Sequence, residues 1–178
     1  MAAPTLVEQQ YYLLGMLSKG GVGYPSGKGY PKLTFEKKLY SPDTTTGKSS
    51  FASSVFNGTN VSSRAFDNST STYWGSVTAG TTEYVGVDFV TPIIIGAVSV
   101  HCVSVNYKMA RFALEGSDDM LNWTIVAEKI MANNNNKQFF DIDNNTAFRY
   151  WRVRNNGTTY AGTMIYIYEL EMCTGGLI

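Results

Sequence analysis

From about residue 50 onwards, short runs in which every second residue is apolar alternate with clusters of turn-forming residues. Val85, Val87 and Phe89 alternate with smaller or polar residues, and the same period of two recurs in 98–102 and 150–154. A period of two is typical of a strand with one buried face. Seven or eight such strands with almost no helix between them predict an antiparallel sandwich or jelly roll, and they exclude a parallel βαβ fold.

Two details refine this prediction. The alternation slips after Cys102, because Val103 and Val105 fall on the other parity, so we expect a bulge or a strand end there. The polar tract 133–136 consists of four asparagines and predicts a loop between strands.

The first 38 residues have a different pattern. Apolar residues between Leu6 and Leu17 recur at helical spacing and stop before a pair of glycines, which predicts one amphipathic helix followed by a stretch rich in Gly and Pro. We therefore divide the chain into an N-terminal helical arm, 1–38, and a sandwich domain, 39–178. The apolar helix face must be covered by the sandwich or by a neighbouring subunit, which favours a homo-oligomer or an assembly component.

Composition excludes several classes of partner. Charged residues make up 16% of the chain and cancel to a net charge of zero, which argues against nucleic-acid binding.

The first ten residues lack a basic segment followed by an apolar core, so no secretory signal is predicted. Membrane insertion is not expected either, because the predicted loops consist mostly of Thr, Asn and Gly. A disulfide between Cys102 and Cys173 stays open, as does a pair of reduced thiols.

Enzymatic chemistry finds no support in the sequence. His101 is the only histidine, and its neighbour Cys102 lies on the opposite face of a predicted strand. A nucleophile and a base therefore do not meet locally, and we predict a non-catalytic protein. The segment 65–74 is more informative, since Asp67 and the Thr72 hydroxyl supply oxygen ligands suited to a hard cation.

Five sequence blocks follow one another along the chain: 65–74, 84–89, 112–123, 149–153 and 167–171. Their order and spacing resemble those of the discoidin superfamily. This superfamily includes the C-type domains of coagulation factors V and VIII and the family 32 carbohydrate-binding modules. The resemblance covers roughly residues 50–173 and implies an all-β, eight-stranded antiparallel jelly-roll β-sandwich of the galactose-binding-like type. Loops at one end of such a sandwich recognise glycans, lipid head groups or proteins.

The resemblance also implies a structural Ca²⁺ ion. Its ligands would be Asp67, Thr72, Glu169, and the carbonyls of Phe66 and of Ser69 or Thr70. This sequence has Asn68-Ser69 where the family commonly has Gly-Asn, and asparagine tolerates a positive φ better than most residues. The alternative is that Asp67 caps its own turn without a metal.

Glycan binding is the function that the resemblance and the aromatic content favour. The chain contains 12 Tyr, 9 Phe and 3 Trp, and a tyrosine ring combines an apolar face with a hydroxyl. Candidate binding loops are 76–83, 105–111 and 155–163. The candidate ligand-binding residues are His101, Tyr107, Arg111, Asn155, Asn156 and Tyr160. Arg149, Arg152 and Arg154 are three basic residues close together, but Arg149 and Arg152 belong to the family block 149–153, so we expect structural pairing of these guanidinium groups.

Two hypotheses follow. In the first, the protein is a non-catalytic module on a virion, such as a phage tail, baseplate or capsid surface, and it recognises cell-surface glycans. In the second, it is a structural virion protein whose sandwich and arm contact other virion proteins. A virion is the expected location, and an extracellular or cell-surface location is the alternative.

Overall fold

A computed structural model describes residues 48–173 of the chain. The predicted arm, 1–38, lies outside these residues, so its helix and its contacts stay predictions. The described residues contain two short 3-10 helices, Ser62–Ala65 and Val105–Tyr107, and no helix among them is long and apolar enough to cross a membrane.

Two antiparallel sheets form a β-sandwich, as the alternating pattern predicted. The five-stranded sheet has the order β1-β3-β8-β5-β6, and the four-stranded sheet has the order β2-β9-β4-β7. The strands are β1 Ser49–Ala52, β2 Trp74–Gly75, β3 Tyr84–Ile93, β4 Ala97–Cys102, β5 Arg111–Ser117, β6 Thr124–Ile130, β7 Gln138–Asp141, β8 Phe148–Asn155 and β9 Tyr166–Cys173.

The described residues thus form nine strands, and the predicted number of eight is one short. The short strand β2 consists of Trp74 and Gly75, which pair with Ile167 and Tyr166 of β9. Two residues cannot display an alternating pattern, so such a strand has no periodic signal in the sequence.

The core lies between the sheets and is built from the alternating positions. Val85, Val87 and Phe89 of β3 are buried, as are Trp151 and Val153 of β8. The side chains between them point to the outer faces, because successive residues of a strand point in opposite directions. The period of two therefore identified the buried face of these strands correctly.

The predicted irregularity near Cys102 is confirmed. The pairing of β4 with β9 shifts register between His101 and Cys102, and β4 ends at Cys102. The asparagine tract 133–136 lies in the loop between β6 and β7, also as predicted. No disulfide links Cys102 to Cys173, since Cys173 pairs with Ala97 at the other end of β4.

Candidate functional site

The three predicted binding loops meet at one end of the sandwich. The backbone N–H of Ala110 donates to the Thr158 carbonyl at 2.9 Å, which joins the β4–β5 loop to the β8–β9 loop. The Asn155 amide group donates to the carbonyls of Ala79 and Gly80 at 2.8 and 3.2 Å, which ties in the β2–β3 loop. These contacts make one continuous surface from segments that are distant in sequence.

Asn155 supports this surface from below. Its side chain is fully buried, and its Oδ1 atom has no hydrogen-bond partner among the described residues. The structure therefore places the predicted ligand residue Asn155 beneath the 76–83 loop, where it positions backbone. The sequence suggested that Asn155 is exposed, because it is a polar residue at a strand end. The loop that covers it is more than 70 residues away in sequence, so no local pattern indicated its burial.

Three of the other predicted residues line one cleft. Arg111, Asn156 and Tyr160 surround a cavity of about 340 Å³ between the start of β5, the end of β6 and the β8–β9 loop. The Tyr160 hydroxyl donates to the Met131 carbonyl at 2.5 Å, and the Asn156 amide donates to the Glu128 carboxylate. The cleft thus combines one aromatic ring with polar groups of both hydrogen-bonding types.

A second feature of the same end is a group of stacked tyrosines, which we call the tyrosine surface. The ring of Tyr166 lies between those of Tyr107 and Tyr73, with centroid distances of 4.4 and 4.8 Å. Phe56, which is 44% exposed, lies 5.9 Å from the Tyr166 ring. Burial, followed by the neighbouring Tyr73 and Tyr107, raises the pKa of the Tyr166 hydroxyl. The tyrosine surface is defined by Phe56, Tyr73, Tyr107 and Tyr166.

Only Tyr107 of this group was predicted from the sequence. Tyr166 is buried at the start of β9, next to the buried Ile167, and therefore resembles an ordinary core residue of a strand. Tyr73 belongs to the segment that suggested a cation loop. A local pattern carries no signal for the stacking, because the three tyrosines come from different parts of the chain.

His101 lies apart from the cleft. It pairs with Glu169 in the four-stranded sheet, and its ring contacts the Tyr168 ring at a centroid distance of 5.4 Å. The neighbouring Cys102 is buried in the core on the opposite strand face, where burial raises the pKa of its thiol to about 12. The separation of His101 from Cys102 agrees with the sequence argument against a catalytic pair.

Glu83 joins two loops at the same end of the sandwich. Its buried carboxylate accepts hydrogen bonds from the hydroxyls of Ser53 and Ser54, both at 2.5 Å, and of Thr78 at 2.8 Å. Burial by itself would raise the pKa of Glu83, but the three hydroxyl hydrogen bonds outweigh it, so the pKa is lowered. Glu83 is thus a charged group that fixes the β1–β2 and β2–β3 loops to each other.

The four predicted metal-binding residues also come together. The Thr72 hydroxyl donates to Asp67 Oδ2 at 2.6 Å, and the Ser69 N–H donates to Glu169 Oε1 at 2.7 Å. Asn68 has a φ of 57°, which is the left-handed conformation. The asparagine that stands where the family commonly has glycine therefore adopts the positive φ that it tolerates better than most residues. The loop and the last strand therefore meet across 100 residues of sequence.

The alternative of a self-capping turn is realised in the same loop. The Ser69 N–H also donates to Asp67 Oδ1 at 3.1 Å, which is the hydrogen bond of an Asx turn. Arg64 forms an ion pair with Asp67 at 3.3 Å. Within residues 48–173, no three side chains of His, Cys, Asp or Glu converge as a metal site, so a cation here would depend on hydroxyl and carbonyl oxygens as well.

Glu169 has an unusual environment for a carboxylate. Burial, and secondarily the charges of Asp67 and Glu171, raise the pKa of Glu169 to about 7, while the Ser69 N–H and Lys137 act in the opposite direction. A cation between Asp67 and Glu169 would reduce this repulsion, so the residues present fit a Ca²⁺ ion.

A sequence profile of the F5/8 type C domain matches residues 49–170. The chain belongs to the F5/8 type C domain family. No curated protein matches the chain.

Solved structures similar to this F5/8 type C domain include family 32 carbohydrate-binding modules and a chitosan-binding module. The module of Clostridium perfringens NanJ, in complex with galactose, has 17% identity and a TM-score of 0.61 over 71% of this chain and 93% of its own. Chitosan-binding module 1 of the chitosanase/glucanase from Paenibacillus sp. IK-5 has 23% identity and a TM-score of 0.59, and the match covers 70% of this chain and 93% of the module. The AlyQ module in complex with 4,5-unsaturated mannuronic acid has 21% identity and a TM-score of 0.59, covering 70% and 92%. At these identities the likeness establishes the fold.

The F5/8 type C domain uses its strand arginines structurally, as predicted. Arg152 and Arg154 both bind the buried Glu115 carboxylate at 2.6 Å. The Arg152 guanidinium also lies 3.8 Å from the Trp123 ring centroid and 4.3 Å from that of Tyr84. These arginines stabilise the outer face of the five-stranded sheet, and their charges are already paired.

Proposed function

We propose that this F5/8 type C domain is a non-catalytic glycan-binding module whose primary site is the tyrosine surface. The observation that carries the proposal is the stack of Tyr107, Tyr166 and Tyr73 at the end of the sandwich where three loops converge. Sugar rings present C–H faces to aromatic rings and hydroxyls to polar groups, and a partly exposed cluster of tyrosines offers both kinds of contact.

The similar structures support this function and leave the sugar open. The NanJ module was solved with galactose and the AlyQ module with a uronic acid, on the same fold. The fold accommodates different sugars because specificity depends on loop side chains.

The test is a glycan array followed by titration calorimetry with the purified full chain. Tyr107→Ala should weaken binding of the best neutral glycan about 10-fold or more, since it removes one ring of the stack. Tyr150→Ala is the matched control, because Tyr150 lies on β8 opposite Ser117, at the other end of the strand from Asn155. A folded wild type that binds no glycan, or equal losses in the two variants, would refute the proposal.

We further propose that Ca²⁺ binds the loop 66–72 as a structural ion, with Asp67, Thr72, Glu169 and the Ser69 carbonyl among its ligands. The convergence of these residues and the raised pKa of Glu169 support the proposal. Calcium should raise the melting temperature of the wild type and EDTA should reverse the effect. Asp67→Asn should abolish the response, whereas Asp143→Asn, an exposed control, should retain it. An unchanged melting temperature on adding calcium would refute the ion and leave Asp67 with its Asx turn and its contacts to Arg64 and Thr72.

A virion setting and contacts of the arm, 1–38, with virion proteins are separate proposals that rest on the sequence alone. If the arm drives assembly, deletion of residues 1–38 should lower the oligomeric mass in solution while the sandwich still folds. An unchanged mass would remove the arm from the assembly hypothesis. A gene located outside any phage or prophage region would contradict the virion setting.

A further inference from the structure

The cleft beside the tyrosine surface contains an arginine that differs from the others. Within residues 48–173, Arg64, Arg149, Arg152 and Arg154 each form an ion pair with a carboxylate. Arg111 is exposed, and no side chain of the described residues forms an ion pair or a hydrogen bond with its guanidinium group. Its five N–H donors are therefore available on the wall of a cavity of about 340 Å³.

The other walls of the cleft are held in place. The Asn156 N–H donates to the Arg111 carbonyl at 3.1 Å, which joins the β8–β9 loop to the first residue of β5. The Tyr160 ring, 37% exposed, is fixed by its hydroxyl on the Met131 carbonyl and lies 5.3 Å from the Lys108 ammonium group. A ring fixed in this way loses little conformational entropy when a ligand packs against it.

The charge around the cleft is favourable for an anion. Lys108 is buried, and its ammonium group donates to the carbonyls of Ala132 and Asn134, so a positive charge is locked behind the Tyr160 ring. Among the described residues, Glu128 is the carboxylate that contacts a lining side chain, because it accepts a hydrogen bond from the Asn156 amide. Its negative charge opposes an anionic ligand, which provides a way of testing the charge preference.

From this arrangement we propose that the cleft is a second subsite, which binds the carboxylate of an acidic sugar through the Arg111 guanidinium. The proposal rests on the proposed glycan-binding function and specifies its ligand as a uronic acid-containing oligosaccharide. Arginine pairs with a carboxylate through two parallel hydrogen bonds, a geometry that a neutral hydroxyl cannot match. Tyr107 and Arg111 are four residues apart, so their Cα atoms are separated by at most about 14 Å. One oligosaccharide can therefore contact both the tyrosine surface and the cleft.

The experiment compares acidic and neutral forms of the same sugars. Titration calorimetry would use trimers of galacturonic, glucuronic and mannuronic acid, together with their methyl esters, in which the carboxylate charge is removed. Wild type should bind at least one acid trimer about 10-fold or more tightly than its ester, and the preference should decrease as salt is added. Arg111→Gln should weaken binding of that acid about 10- to 100-fold and leave the ester within about twofold.

Two further variants make the test specific. Arg111→Lys keeps the charge but loses the paired geometry, so its affinity for the acid should lie between those of wild type and Arg111→Gln. Glu128→Gln removes the opposing charge and should strengthen binding of the acid about two- to fivefold. Both residues are exposed, so melting temperatures close to that of the wild type should show that the variants are folded.

The outcomes separate the two proposals. If neutral glycans bind through Tyr107 and the acid and ester trimers have equal affinity, the acidic subsite is overturned and the glycan-binding function stands. Equal losses of acid and ester in Arg111→Gln would also overturn the subsite. Binding of no glycan by the folded wild type would overturn both.

Discussion

Glu83 offers a direct test of how the binding end is held together. The residue is 6% exposed and its carboxylate has hydroxyl partners from Ser53, Ser54 and Thr78, so it connects two loops through charge-assisted hydrogen bonds. The substitution Glu83→Gln keeps the shape of the side chain, removes the charge and replaces one acceptor oxygen by an amide donor.

The magnitude follows from these three contacts. A hydrogen bond to a charged group contributes about 1.5–3 kcal/mol and a neutral one about 0.5–1.5 kcal/mol, so each contact loses about 1 kcal/mol. Relief of the desolvation of a buried charge offsets part of this loss. We therefore expect Glu83→Gln to lower the free energy of unfolding by about 2 kcal/mol, which corresponds to a fall in melting temperature of about 4 to 8 °C.

The pH dependence of the unfolding free energy gives a second, independent test of the Glu83 charge. The pKa of Glu83 is lower in the folded protein than its usual 4.5, so its stabilising contribution is fully present above the unfolded pKa and is lost as the pH falls through the folded pKa. The difference in unfolding free energy between wild type and Glu83→Gln should be largest near neutral pH and shrink on acidification. Urea unfolding at about pH 7 and about pH 3, followed by tryptophan fluorescence, measures this difference.

The control is Glu128→Gln, because Glu128 is an exposed carboxylate at the same end of the sandwich. It should change the unfolding free energy by less than about 0.5 kcal/mol. The reasoning is refuted if Glu83→Gln is as stable as the control at neutral pH. A stability difference that is the same at the two pH values would refute the role of the charge.

Other positions test the packing of the sandwich. Glu115→Gln should lower the free energy of unfolding in urea by about 2–4 kcal/mol, because it leaves two partly buried arginines without a paired charge. Asp88→Asn should lower it by less than about 1 kcal/mol, because the partner arginine of Asp88 is 40% exposed. Equal losses in the two variants would contradict the burial argument. Val90 has a φ of 70° and is exposed, so Val90→Asn should raise the melting temperature by about 2 to 4 °C, and no gain would argue against backbone strain there. A Cβ atom on Gly162 would lie 1.9 Å from the Asn106 carbonyl oxygen, so Gly162→Ala should displace the β8–β9 loop and weaken glycan binding; unchanged affinity would show that the loop does not shape the site.

The strands of the core were predictable because each carries its own signal. Burial on one face of a strand imposes a period of two on five or more consecutive residues, as in Val85 to Phe89 and Val98 to Cys102. The slip after Cys102 was visible for the same reason. Strand β2 gave no such signal, because it has only two residues and its burial depends on the pairing of Trp74 with Ile167.

The candidate site was only partly predictable. Arg111, Asn156 and Tyr160, which were predicted from their loop positions, line one cleft, and their role in binding stays a prediction. Asn155, from the same prediction, is buried under the β2–β3 loop, and Tyr166 was missed because its partners come from other loops. Whether a loop residue faces a ligand depends on which other loop covers it.

By itself, the sequence determined the antiparallel sandwich, its buried positions and the blocks that resemble a discoidin domain, since these depend on local alternation and on order along the chain. Only the tertiary structure decided which arginines are paired, which asparagine is covered and which tyrosines stack. The sheet orders β1-β3-β8-β5-β6 and β2-β9-β4-β7 bring strands together that are not consecutive in the chain. Hydrogen bonds and ring contacts act over a few ångströms, so their partners are selected by this arrangement in space and carry no signature at a fixed sequence spacing.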